Sequence, residues 1–366
     1  MRRRQAFTLV ELLVTIALVT FIMALLSEAF IVGVKTFRDL KALGDMDERL
    51  RAATSEIAFD LKADHFSGDQ RLSDASFWQS GPPTSGFFRI FAPSTFPPVY
   101  NGVGPQPASF IEGLDGDGIP SAVVTDTVLH FTVKHRGNHN DRFYTAVINP
   151  RPLPPFAAPS PLFTAPTTFV EQTLPAPFAP DARYQIANNA ANDIPYNSQW
   201  AEVAYFLLPN GELAGSTPLY TLYRTQLVVA PDTTNLNWPA PGPVPAAQFL
   251  SYQEMSCVQT PNQVYFYNPS ELTLQGQRAF DPTNPANLDP NTGLPRGSTF
   301  VLGDVISFEV QTISVQPFNP PVLGYLDFDT GAEASVNTTV TAIQITIRVW
   351  DSKTQLTRQI TIVQDM

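Results

Sequence analysis

Twenty residues, Phe7 to Leu26, carry a single charge, Glu11, and Arg2, Arg3 and Arg4 stand directly before them. At about 1.5 Å per helical residue the run spans roughly 30 Å, the hydrocarbon thickness of a bilayer. No comparable basic cluster follows it, so the positive-inside bias keeps the N-terminus cytoplasmic and sends the rest of the chain across the membrane. Glu11 is expensive at this depth, about 2.5–3.5 kcal/mol at a bilayer centre and less near its edge, and such a carboxylate marks a functional position by default. An ordinary secretory signal peptide accounts for the segment less well. Its apolar core would be about 7–15 residues and free of carboxylates, although Ser27-Glu28-Ala29 offers an imperfect cleavage site.

Proline carries the helix beyond the lipid. The chain has 35 prolines and the first is Pro82, so nothing interrupts a helix before that point. Past Leu26, the residues Phe30, Val34, Phe37, Leu40, Leu43, Met46, Leu50, Ala53, Ile57 and Leu61 recur at steps of three and four. That is an apolar stripe at helical period. Lys35, Arg38, Asp39, Glu56 and Asp60 fall on the mixed-sign face between them. The stripe is too short and irregular for the sustained heptads of a coiled coil. A helix is therefore expected over residues 7–66, transmembrane over 7–26 and laid against a globular head beyond that.

From residue 67 the period changes to two. Val128 to Val133 reads as a strand with Arg142 to Ile148 as its partner. Trp200 to Leu208 is followed by the turn signal Asn210-Gly211 and by a strand over Leu219 to Val229. Asp304 to Ile313 alternates, and Ala342 to Trp350 with Gln355 to Val363 reads as a closing hairpin. Ile343, Ile345, Ile347 and Val349 share its buried face. Proline clusters at 150–180 and 239–245 cannot lie in central strands and read as surface insertions. The expected fold class is α+β, a long N-terminal helix packed on a β-rich antiparallel head that runs from 67 to 366.

Little in the head suggests chemistry. A net charge of −11 with charged residues at 15% argues against a nucleic-acid partner, since phosphate backbones need a basic face. Asp115-Gly116-Asp117-Gly118 reads as a turn, since an EF-hand would need Asp or Asn where Ile119 stands and Gly where Pro120 stands. Asp281, Asn284, Asn287, Asp289 and Asn291 read as a polar loop. His130, His135 and His139 straddle a strand and a turn, a poor geometry for zinc. Cys257 reads as a small buried hydrophobe. No nucleophile elbow, P-loop or dinucleotide-binding glycine pattern is present, so an enzyme, a cofactor and a metal are not expected.

The short basic leader ending in Ala6, the string Phe7-Thr8-Leu9-Val10-Glu11 and the apolar run after it resemble the class III signal and N-terminal helix of type IV pilins and type II secretion pseudopilins. The resemblance covers residues 2–37, with Ala6 standing where the family usually has Gly. It implies a leader, residues 1–6, removed by a prepilin peptidase between Ala6 and Phe7, and N-methylation of Phe7. It also implies that Glu11 neutralises the N-terminal amine of a neighbouring subunit as helices bundle into a filament. Within the head, Trp200, Glu202, Val203 and Tyr205, then Leu222-Tyr223-Arg224, then Asp304, Val305 and Phe308, and finally Ile345 to Trp350 look like the J-type minor pseudopilin. That family would make the chain a non-enzymatic subunit at the tip of a periplasmic pseudopilus. Its partners would be major and minor pseudopilins, the bacterial inner membrane and secreted cargo. A minor pilin of a type IV pilus is the nearest alternative. A secreted β-rich binding or hydrolytic domain with an atypical signal peptide is the alternative from another class.

Overall fold

The computed structural model describes residues 9–68, 70–74, 83–91, 110–111, 123–124, 127–137, 142–148, 194–214, 217–230, 253–260, 263–281, 288–289, 292–315, 322–323, 328–331, 339–352 and 354–366. Helix α1 runs unbroken over Leu9–Leu61. Regular helix stops short of the expected residue 66 because the next residues find better partners in the sheet. Asp64 bridges to Lys134, and the Lys134 amide donates to the Asp64 carbonyl at 2.6 Å. His65 then sets its ring nitrogens 2.8 Å from the Thr132 carbonyl and 3.2 Å from that of Leu61.

The strands are β1 (Phe88–Phe91), β2 (Phe110–Ile111), β3 (Val123–Val124), β4 (Val128–Lys134), β5 (Tyr144–Ile148), β6 (Ile194–Ser198), β7 (Trp200–Ala214) and β8 (Thr217–Val228). After them come β9 (Cys257–Thr260), β10 (Gln263–Phe266), β11 (Ser298–Val315), β12 (Val322–Leu323), β13 (Phe328–Asp329), β14 (Thr339–Asp351) and β15 (Leu356–Asp365). A single antiparallel sheet has the order β13-β1-β4-β7-β8-β11-β14-β15, with β12 added to β11. Pairs β2–β3, β5–β6 and β9–β10 stand outside it. The head is antiparallel and β-rich, and α1 lies on it, as the change of period implied.

Two local expectations give way. β5 pairs with β6 rather than with β4, because both edges of β4 are already taken by β1 and β7. Asn210-Gly211 is not the reversal point of the β7–β8 hairpin. It forms a bulge, with register shifting between Pro209 and Leu213 and Gly211 at φ 83°. The Asn210 side chain accepts the Glu212 amide at 2.9 Å, the local bond that makes Asn a turn former. The ladder resumes, with Ala214 paired to Thr217.

Both faces of the sheet are covered. On one, Met46, Leu50, Ala53, Ile57 and Leu61 of α1 join Phe131, Val203, Phe308, Ile345 and Ile347 in the main core. On the other, the segment that follows β10 lays Tyr267, Leu272 and Ala279 against Phe87, Trp200 and Leu227, and Phe280 against Val128, Ala204 and Phe206. A three-layer arrangement buries strands on both sides, which explains why Thr132, Glu202, Thr225 and Arg348 are buried as well.

Burial of histidine gives the head a pH dependence. His130 donates Nε2–H to Glu202 at 2.9 Å, and its Nδ1 has no hydrogen-bond partner among the described residues. Burial holds its pKa below the ordinary 6.5 against the pull of the Glu202 carboxylate. The unfolded chain thus binds a proton that the native ring refuses, so stability present above pH 6.5 is lost as pH falls. His65 is shifted down too, by burial, but the Thr132 and Leu61 carbonyls oppose that and reduce its share. Detergent-solubilised full-length protein should be about 1–2 kcal/mol less stable to urea at pH 5.5 than at pH 7.5. Equal or greater stability at pH 5.5 would show the ring to be charged in the native state.

Candidate functional site

The candidate site is α1 itself, whose two halves meet different surroundings. Leu9, Leu13, Phe21 and Leu26 are exposed, and no part of the most apolar window is covered by the rest of the protein. Among the described residues this is the one helix long and apolar enough to cross a membrane. Three of its threonine hydroxyls are satisfied within the helix, as lipid or a helix bundle would require. Thr15 donates to the Leu12 carbonyl at 2.9 Å, Thr20 to Ile16 at 2.8 Å and Thr36 to Val32 at 2.9 Å. Glu11 is in the first turn of the described helix. Ala6 and Phe7 lie outside the described residues.

Lipid alone does not account for all of the apolar surface. Twenty residues from Phe7 fill a bilayer and end at Leu26, yet Phe30, Ile31, Val32, Phe37 and Leu40 beyond that point are also exposed. Packing against the core begins at Leu43, and full burial at Met46; nearer the anchor the head contributes Thr354 to an open groove beside Val34, Arg38 and Asp45. A contiguous apolar surface of this kind favours association with other apolar faces.

The distal half is fastened by charge as well as by packing. Asp60, on the polar face in the sequence reading, is 1% exposed. Its Oδ2 accepts Arg224 Nε and the Tyr205 hydroxyl, each at 2.7 Å, and its Oδ1 accepts Arg224 Nη2 at 3.1 Å. Glu56 approaches the same guanidinium at 3.6 Å. Burial raises the Glu56 pKa, partly offset by Arg224, and burial with the adjacent Asp60 charge holds the Tyr205 hydroxyl neutral. Arg49 with Asp304 and Asp47 with Arg358 add half-exposed ion pairs of 3.6 and 3.3 Å, which are worth little singly.

A second buried carboxylate holds the opposite layer. Glu202 accepts His130 Nε2 at 2.9 Å, Ser256 Oγ at 2.6 Å and the Phe280 amide at 2.9 Å. Burial works to raise its pKa, but these donors outweigh that and keep it ionised. Serine, histidine and glutamate converge here; all three are buried and both partners bind the carboxylate, so the group joins the two layers. Arg278 grips Asp329 at 2.7 and 2.9 Å, which ties the same segment to β13.

The other candidates resolve simply. Cys257 is buried, its thiol 3.4 Å from Arg296, and burial raises its pKa. His130 and His135 part company: the first meets Glu202, the second stacks on Tyr144 with centroids 4.5 Å apart. His139, residues 115–118 and Asn284, Asn287 and Asn291 lie outside the described residues. Among the described residues no group of three metal-ligating side chains forms. Sequence reading missed Asp60 and Glu202 as anchors, although Asp60, three residues after Ile57 and one before Leu61, stood within the stripe's own spacing.

The family model for the prokaryotic N-terminal methylation motif matches residues 1–27. That motif is a prepilin-type signal of the type IV pilin and pseudopilin class. No curated protein and no solved structure matches the chain.

Proposed function

We propose that this chain is a structural minor pseudopilin of a type II secretion system, closest in kind to the J-type subunit, seated at the tip of a periplasmic pseudopilus. The observation that carries the reading is a methylation motif on an unbroken helix whose first half is exposed apolar surface and whose second half is docked on an antiparallel sheet. One helix anchors the subunit in the inner membrane, with the N-terminus cytoplasmic and the head periplasmic. A prepilin peptidase cuts between Ala6 and Phe7, and Phe7 is then methylated. The exposed stretch from Phe30 to Leu40 is covered by the helices of sibling subunits, which lift one another out of the membrane. No reaction centre is assigned. Mass spectrometry of the mature N-terminus tests the anchor directly: methyl-Phe7 is expected, and a start near Phe30 would replace this reading with a cleaved signal peptide. Copurifying siblings separate a secretion pseudopilin from a pilus subunit.

Glu11 provides the functional test. Glu11→Leu removes the carboxylate penalty, so the subunit should insert at least as well as the native chain. It should be recruited poorly into complexes with its siblings, because a neighbour's amine in an apolar bundle would then lack its counter-charge, at a cost of about 3 kcal/mol or more. Co-purification should fall by at least about tenfold, with Glu11→Asp in between. Full assembly by Glu11→Leu would remove the role assigned to this residue.

A further inference from the structure

Between the membrane anchor and the docked half of α1, the chain forms an open groove of about 830 Å³. One wall is the helix, with Phe30, Ile31, Val34, Lys35 and Arg38, and the other is Thr354, on the turn between β14 and β15. That turn is fixed. The Thr354 amide and hydroxyl both donate to Asp351 Oδ2, at 3.0 and 2.7 Å, and Arg358 ties the adjoining strand β15 to Asp47 of the helix at 3.3 Å. The groove is therefore a product of docking, not of the helix alone.

Its lining is ordered along the membrane normal. Counted from Leu26 at about 1.5 Å per residue, Phe30, Ile31 and Val34 stand about 6–12 Å above the hydrocarbon edge, Lys35 about 13.5 Å and Arg38 about 18 Å. Side chains on a helix lean towards its N-terminus, here the membrane, and long basic stems snorkel the same way. A reach of about one helical turn brings the Lys35 ammonium to roughly 8 Å, the outer level of a headgroup layer about 5–7 Å deep. The Arg38 guanidinium comes to roughly 13 Å, within a screening length of about 8–10 Å from that layer. Lys41, the third cation of the groove, lies beyond that range. No ion pair or side-chain hydrogen bond engages Lys35 or Arg38 among the described residues. The lining carboxylates, Asp39 and Asp45, lie farther from the membrane than both, and Glu28, nearer to it, does not line the groove.

We propose that this groove seats an anionic phospholipid of the membrane that anchors the chain, its phosphate on Lys35 and Arg38 and the first methylenes of its acyl chains against Phe30, Ile31 and Val34. The order of the lining, apolar nearest the bilayer and cationic above, is the order of the lipid itself. A volume of about 830 Å³ lies within the roughly 300–1,000 Å³ of sites that enclose whole ligands rather than a bare inorganic anion. An acidic segment of a partner protein would suit the cations but leave the apolar end uncovered. Sibling helices keep a face of their own, since Val32, Phe37 and Leu40 are exposed and outside the groove. The distances to the bilayer rest on the membrane-anchored reading of α1; the composition of the groove does not.

The test is native mass spectrometry of the full-length protein in dodecylmaltoside micelles, titrated with phosphatidylglycerol or with phosphatidylcholine of the same acyl chains. One phosphatidylglycerol should be retained at least about tenfold more tightly than phosphatidylcholine, since each basic residue near an anionic surface contributes roughly fivefold. Lys35→Gln with Arg38→Gln should abolish that preference. Ile31→Gln with Val34→Gln should weaken retention of both lipids several-fold, and Arg51→Gln, exposed and farther along α1, should change neither. Soluble glycerophosphoglycerol, which carries the phosphate without acyl chains, should not compete. Equal retention of the two lipids, a preference that survives removal of both charges, or full competition by the soluble headgroup would overturn the proposal. So would an acidic peptide that displaces the lipid at equal charge. Residues 30–45 are present in the micelle whether or not the leader is cut, so these outcomes report on the groove, while a mature N-terminus near Phe30 would separately remove the anchor.

Discussion

Asp60→Ala is expected to destabilise the head by about 3–5 kcal/mol. The substitution removes both oxygens that hold Arg224 and the one that accepts the Tyr205 hydroxyl. The guanidinium would remain with its side chain only 12% exposed, and burying an uncompensated charge costs far more than losing a surface pair. Glu56, at 3.6 Å from Arg224 and 43% exposed, compensates for part of this, which sets the lower end of the range. The bond also joins layers, because Asp60 is the last polar group of α1 before Leu61 and Arg224 is on the central strand β8. Urea unfolding of the full-length protein in micelles measures the loss, with Glu48→Ala on the exposed face of the helix as control. Asp60→Leu with Arg224→Met should regain most of the stability, since apolar replacement of both partners is often close to neutral. A single Asp60→Ala variant as stable as the control would show that packing alone docks the helix.

Glu202→Ala should cost about 4 kcal/mol or more and release the layer on the opposite face of the sheet. The carboxylate is fully buried, and its loss leaves the His130 Nε2–H, the Ser256 hydroxyl and the Phe280 amide without acceptors. A buried donor left unsatisfied costs about 1–3 kcal/mol, and the vacated side-chain volume adds a cavity term. Because two of the three donors belong to the segment from Ser256 to Phe280, damage should be regional. Amides of Ser256, Tyr267 and Phe280 should lose hydrogen-exchange protection well before those of β11 and β14. Glu202→Gln keeps the volume and one acceptor, so it should fall between the two. Uniform loss of protection across the sheet would mean that the second layer has no independent stability.

The two carboxylates mark the boundary of sequence reading. Helix α1, its apolar first half and the part of its stripe docked from Leu43 onward follow from local periodicity, as do β4, β7, β8, β11 and the β14–β15 hairpin; the stripe residues Phe30, Phe37 and Leu40, expected on the head, are exposed instead. Each of these elements depends on residues a few positions apart, and Ile343, Ile345, Ile347 and Val349 join the main core together as their spacing demands. The placement of Glu11 relative to the basic leader is local in the same sense. What periodicity could not supply was partnership. Asp60 meets Tyr205 across a separation of 145 residues, and Glu202 meets Phe280 across 78. β5 took β6 as its partner because both edges of β4 were already occupied, a fact about the assembled sheet rather than about either strand. The same holds for the cleft lined by Lys62, Arg71, Lys134 and Arg136, whose charges come from a helix end, a loop and a strand end that only folding brings together. Backbone pattern is set by neighbours along the chain. Which polar groups are buried, and with whom, is decided when layers close and every desolvated charge must find a counterpart.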